Sequence, residues 1–202
     1  MKKRRKRKPI RYTASRGKPW HRPYLETTNW ATSYDVTTKL INARQLGQGV
    51  ELGTGYGWHA EQILLRCPTA SVITIDAYRV EVDDMIKKFD GGAYERLCHE
   101  TIERLQLYAE RALFLRMTTE AAARVVDVAL DWLYVDASHD YASCLHDLQT
   151  WFPKLKRPGG LLMGHDYGQP QHIGVKVAVD EFLAKHELTL GGVEEYVWWV
   201  DL

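Results

Sequence analysis

Little in this chain ties it to a membrane or to an oxidising compartment. No apolar run approaches the roughly 20 residues that cross a bilayer, so no membrane partner is expected. The basic N-terminus has no apolar stretch behind it, which excludes a secretory signal. Only three cysteines occur, Cys67, Cys98 and Cys144, odd in number, widely spaced and without a C-x-x-C pair. They read as reduced thiols of a cytoplasmic protein rather than as disulfides, metal ligands or nucleophiles. Acid is missing from the first 25 residues, where 11 of the 27 basic residues lie. Past that point 16 basic residues face 26 acidic ones, a net of −10, so a basic arm over 1–25 precedes an acidic domain over 26–202. Such an arm is either a solvated, disordered tail or an electrostatic handle for nucleic acid.

The rest is of globular composition, 45% hydrophobic and 26% charged over 202 residues, and long enough for one domain with a real core. A helical pattern runs from Trp30 to Leu46 and stops near Gly47 and Gly49. Short apolar runs follow at Gly49–Leu52, Ser71–Ile75, Ala112–Arg116, Asp131–Val135 and Gly160–Met163. Between them lie segments of helical spacing, such as Leu145, Leu148, Phe152 and Leu155, or Val175, Ala178, Val179 and Phe182. This alternation predicts an α/β fold with a doubly wound, Rossmann-like, mostly parallel sheet and helices on both faces. The closing EEYVWWVDL alternates as a late antiparallel strand, with Tyr196, Trp198 and Val200 expected on one face. The stretch from Tyr78 to Glu110 is longer than one crossover helix needs, and Asp90-Gly91-Gly92 divides it.

The stretch VELGTGYGWHAE carries Gly53, Gly55 and Gly57 between a predicted strand and a predicted helix. That is the setting of a ligand-cradling loop. The spacing is G-x-G-x-G rather than the dinucleotide G-x-G-x-x-G, and no Gly-Lys-Ser/Thr follows, which excludes a P-loop. Glu51 sits two residues before the first glycine, where it would repel a pyrophosphate and attract a cation. Asp76 ends the next strand, in VITIDA, placed to accept from both hydroxyls of a ribose. A ribose and a positive charge without a phosphate describe S-adenosylmethionine.

VELGTGYGWHAEQIL, VITIDA, LDWLYVDASHDY and LKRPGGLLMGHDYG together resemble the class I S-adenosylmethionine-dependent methyltransferases. Within them the chain is similar to the small-molecule O-methyltransferases of sugar and macrolide chemistry. The resemblance covers about Val50 to Phe182. It implies cofactor contacts from Glu51, Gly53, Thr54, Gly55, Gly57, Asp76, Ala77 and Asp136, with Met117 and Thr118 beside the adenine. The chain lacks the acid often found at that last point.

YVDASHDY ends the fourth predicted strand and LLMGHDYG the fifth, so Asp136, His139, His165 and Asp166 converge on one cleft. Oxygen ligands with an imidazole suit a divalent cation, magnesium or manganese. The resemblance implies that Asp136, His165 and Asp166 hold the metal, although the position of His165 is usually acidic, and that His139 is the general base. With Asp136 and Asp166 these make the expected catalytic group. The plainer alternatives are that His139 or Asp136 caps the next helix and that His165-Asp166 is an ordinary turn. His21, His59, His99, His146, His172 and His186 read as surface or scaffold residues. Trp20, Trp30, Tyr34 and Tyr78 are candidates to line the acceptor pocket.

The expected function is metal-assisted O-methylation of a small hydroxylated acceptor. The absence of an Asn/Asp-Pro-Pro-aromatic turn after the fourth strand argues against methylation of exocyclic amines. The alternatives are a nucleic-acid methyltransferase that uses the basic arm, and a catalytically idle binding protein on the same fold. A homodimer is compatible with either reading.

Overall fold

The structure is a computed structural model that describes residues 30–79 and 91–202. The basic arm, Trp20, His21 and residues 80–90 lie outside the described residues. Helix α1 (Trp30–Ala43) leads into strand β1 (Gln48–Leu52), helix α2 (Trp58–Arg66) and strand β2 (Ser71–Ile75). Then follow α3 (Gly91–Leu105), β3 (Ala112–Leu115), α4 (Thr119–Val125), β4 (Trp132–Val135) and α5 (Tyr141–Trp151). The chain ends with β5 (Leu161–Gly164), α6 (Ile173–Lys185), β6 (Gly192–Glu194) and β7 (Val197–Asp201).

The seven strands form one sheet in the order β3-β2-β1-β4-β5-β7-β6, with β1 to β5 parallel and the last two antiparallel. Helices cover both faces because successive strand residues point to opposite sides. Val50, Leu52, Ile73, Ile75, Leu133 and Val135 share one core with Ala122 of α4, Leu148 of α5 and Phe182 of α6. Val72, Trp132, Tyr134, Leu161 and Met163 share the other with Ile41 of α1 and Ile63 of α2. Trp132, Trp151 and Trp198 are fully buried, and each such side chain contributes roughly 1.5–3 kcal/mol by leaving water.

The closing strand departs from expectation at one residue. Trp198 and Val200 do share a face, packed in the first core. Tyr196 does not join them. It is 42% exposed, and with Glu195 forms the two-residue turn of the β6–β7 hairpin, φ 63° and 50°. A tight hairpin with the right twist needs positive φ at both central positions, and that demand overrides the alternation of the sequence.

The strand order reverses between β1 and β4, the point at which an open parallel sheet leaves a crevice beyond its strand ends. Register sets what meets there. Leu52 pairs with Ile75 and with Val135, and Val135 pairs with Gly164. Gly53, Asp76, Asp136 and His165, each the next residue along its strand, therefore emerge at the same level.

Candidate active site

The crevice has two lobes that meet over the glycine loop, one of about 310 Å³ and one of about 670 Å³. Gly53, Asp76, Tyr78, Tyr94 and Ala137 line both. Gly53 has φ 89°, and a β-carbon there would lie 2.0 Å from the Asp136 carbonyl oxygen. Only glycine lets the loop after β1 press onto the loop after β4. Gly55, φ 50°, has nothing within 4 Å of its β-carbon position, so that face of the loop is open.

Beneath the loop lies a polar network. Glu51 is 1% exposed and lines neither lobe. One of its oxygens lies 2.7 Å from Nδ1 of His59, and the other accepts from the Thr74 hydroxyl, which also bonds to Thr54. Glu51 thereby fastens the loop to β2 and α2. Gly57 also lies off the lining. It precedes α2, where a β-carbon would meet the Thr101 side chain at 2.9 Å. Asp76 faces both lobes, and its carboxylate accepts from the backbone N–H of Gly55 at 2.9 Å and of Tyr78 at 2.8 Å.

The larger lobe is bounded by Ala77, Met117 and Thr118. The Thr118 hydroxyl accepts from the Ala121 N–H and so caps α4. Its wall also holds Asp147 of α5, which nothing in the sequence marked. Asp147 is 4% exposed and accepts from the Thr119 hydroxyl. Burial, partly offset by that bond, raises its carboxyl from 3.8 to about 6.

Asp136, His139, His165 and Asp166 all reach the smaller lobe. Capping of α5 belongs to Asp140, whose carboxylate accepts from the Ser143 N–H at 2.9 Å, so neither Asp136 nor His139 is the cap. Asp166 is no ordinary turn residue either. It is 5% exposed and holds a left-handed backbone, φ 63°, a strained state for a non-glycine residue. His139 Nε2 lies 2.8 Å from its Oδ2, and His165 Nδ1 lies 3.0 Å from its Oδ1. Burial by itself would raise Asp166, but hydrogen bonds from both imidazoles hold it well below the usual carboxylate range.

Asp136 goes the other way. Burial and the neighbouring Asp166 charge push it up to about 7 against the pull of His165 and His139. The far nitrogen of His165 lies 3.1 Å from the Ser33 hydroxyl of α1, which donates to the carbonyl of Glu195 in the hairpin turn. His165 is therefore held from both sides.

Four partners were missed in the sequence. Ser33 and Glu195 are brought in only by packing of α1 and the hairpin. His172, read as scaffold, lines the smaller lobe and packs its ring on His139, centroids 4.1 Å apart. His59 lines it too, between Tyr34 and Tyr134. Of the aromatic candidates Tyr34 and Tyr78 line the lobe, while Trp30 is known only as the first residue of α1. His99, His146 and His186 stand apart from this cluster: His99 pairs with Glu103, His146 lies by Thr150 and His186 packs on Phe152 and Phe182.

A profile of the methyltransferase-domain family matches residues 50–167, from within β1 to just past Asp166. The chain belongs to that family. It is a class I S-adenosylmethionine-dependent methyltransferase. No curated protein matches it by sequence. Among solved structures it is similar to the calicheamicin methyltransferase CalS11, with TM-score 0.63 and 16% identity over 88% of this chain and 81% of that one. The O-methyltransferase NovP aligns with TM-score 0.60 and 20% identity over 86% and 79%. The SAH-bound methyltransferase PaMTH1 of Podospora anserina gives 0.59 and 15% over 84% and 77%. At such identities the likeness speaks for the fold alone. Among the described residues of this methyltransferase, no helix is long and apolar enough to cross a membrane.

Proposed function

We propose that the protein transfers a methyl group from S-adenosylmethionine to a hydroxyl of a small molecule, with His139 as general base. The observation that carries this reading is the placement of His139. It projects into the smaller lobe beside the open glycine loop, with Nε2 2.8 Å from a buried carboxylate that holds its charge.

The cofactor, when bound, supplies an electrophilic methyl on a sulfonium. Its adenosine would lie in the larger lobe, against Met117, Thr118 and Ala77, with Asp76 toward the ribose and Asp136 toward the charged end. Gly53, Thr54 and Gly55 would form the floor. A hydroxyl is a poor nucleophile at neutral pH, and a positioned imidazole is suited to take its proton as the new oxygen–carbon bond forms. The imidazolium that results is paired at once with Asp166. Tyr34, Tyr134 and Trp58 wall the lobe.

Asp136, His165 and Asp166 each offer a ligand atom within 4.8 Å of the others, a set that would hold a divalent cation such as magnesium or manganese. Burial, with the neighbouring Asp166 charge, lifts Asp136 to about 7, and a cation there would offset both. Such an ion would supply acidification of a bound hydroxyl. A small acceptor agrees with CalS11, a TDP-rhamnose 3'-O-methyltransferase.

The test is turnover on hydroxylated small molecules, sugars included, followed by mass spectrometry. His139→Ala should lower turnover about 10²–10⁴-fold while S-adenosylhomocysteine still binds. An alanine variant that turns over normally sinks the assignment of the base. Full activity in excess chelator removes the metal from the scheme.

A further inference from the structure

The smaller lobe contains a second set of metal-ligating side chains. His139, Asp166 and His172 each bring one ligand atom within 4.8 Å of the other two. Asp166 belongs to this set and to the group with Asp136 and His165. The two differ in kind. One has two carboxylates and an imidazole whose Nε2 is tied to Ser33; the other has one carboxylate between two imidazoles. Carboxylate-rich sites suit magnesium and manganese, whereas imidazole-rich ones suit zinc and the other borderline metals.

The pairing of His139 with His172 is built by the fold. His172 closes the short 3₁₀ turn Pro170–His172 and immediately precedes α6. Two residues on, a β-carbon on Gly174 would meet the Tyr141 nitrogen at 2.7 Å and the His139 carbonyl at 3.0 Å. The start of α6 is thus pressed onto the very backbone that carries His139, which holds the two rings 4.1 Å apart with a 31° tilt. Asp166, anchored by its left-handed backbone, faces His139 at 2.8 Å.

We propose that His139, Asp166 and His172 form a site for a divalent transition-metal ion of the zinc class, and that filling it stops methyl transfer. Three protein ligands with an open fourth position are the usual zinc arrangement in catalytic clefts. Binding here ties up the His139 imidazole and the Asp166 charge that would pair with its protonated form, and it draws Asp166 from the carboxylate-rich set. The binding statement rests on the three side chains alone. Its effect on turnover rests on the reading of His139 as base.

The experiment is calorimetric titration of metal-stripped full-length protein with zinc chloride, without acceptor or methyl donor. His172→Ala should weaken zinc binding by at least about 10–100-fold, since loss of a ligand costs no less than loss of its supporting partners. Asp136→Asn, which offers a ligand only to the other set although its carboxylate lies 4.0 Å from His139 Nε2, should keep most of the parent's zinc affinity. Equal affinity in His172→Ala overturns the site. So does a loss in Asp136→Asn alone, which places the ion among the carboxylates. Cobalt(II) in the parent protein gives a check that needs no variant: the strong visible absorption of a low-coordinate site is expected, and a pale, six-coordinate spectrum counts against it. Zinc held through His172 in a protein that methylates no hydroxyl would overturn the proposed function and leave this site standing.

Discussion

The loop after β1 and the ends of β4 and β5 face each other across one crevice, and they are made in opposite ways. The loop presents mostly backbone. Its acid is sealed beneath it against His59 and Thr74, and its glycines are required by a collision at Gly53 and an open face at Gly55. The strand ends present side chains: two carboxylates and two imidazoles, joined by His172 from the start of α6. A backbone cradle is specified by a few neighbouring residues. A charged cluster exists only when several remote segments pack correctly. The first kind of site is robust to the protonation state of its surroundings; the second is defined by it, as the opposed shifts of Asp136 and Asp166 demonstrate.

The largest effect expected from breaking this contrast is at the loop. Gly53→Ala combines a positive φ with an overlap 2.0 Å from the Asp136 carbonyl. Together these should cost about 4 kcal/mol of stability. Chemical denaturation checks this, and a midpoint equal to the parent's would show that the two loops can separate freely.

Next comes Asp147, which ties pH to stability on the far side of the crevice. Its folded carboxyl is raised from 3.8 to about 6, so the native state favours the proton. That contribution is complete below pH about 4 and is lost as pH rises through about 6, up to about 3 kcal/mol for so buried a group. Asp147→Asn should therefore gain on the parent protein over that window, as measured by urea unfolding at pH 4 and pH 7. A difference between the two proteins that does not change with pH removes the burial argument.

Asp76→Ala sharpens the comparison from the ligand's side. The carboxylate holds the N–H groups of Gly55 and Tyr78 as well as facing both lobes. Its removal should weaken S-adenosylhomocysteine by roughly 1–3 kcal/mol in calorimetry. An unchanged dissociation constant excludes it as a ribose ligand. The smallest effect is expected for Asp140→Ala, which deletes the cap of α5 and should cost about 1 kcal/mol in thermal unfolding. A cost several times larger would mean that the loop bearing His139 depends on this cap.

Much of this was legible in the chain itself. The strand positions follow from short apolar runs, because a parallel sheet buried on both faces leaves few other sequences open to it. Ser71–Ile75 forms as expected, and the others shift by a residue at their ends, where fraying and pairing decide. Gly53, Asp76, Asp136 and Asp166 could be named because each lies at or beside the end of such a run, and parallel strands bring those ends together. Tyr196 could not be placed, since the alternation of EEYVWWVDL says nothing of the positive φ that a two-residue hairpin turn imposes.

What tertiary structure alone decided is which partner each of these side chains keeps. Glu51 reads, in sequence, as an acid beside a cation; only packing gives it His59 and Thr74 as partners. His172 has no local signal, yet the close approach at Gly174 sets it on His139. Ser33, 132 residues away from His165, secures that ring because α1 crosses the end of β5 beside the hairpin. Strand positions and loop chemistry are local or periodic properties, and a sequence carries them openly. Contacts between distant side chains depend on the mutual packing of helices, turns and sheet, and that exists only in the folded molecule.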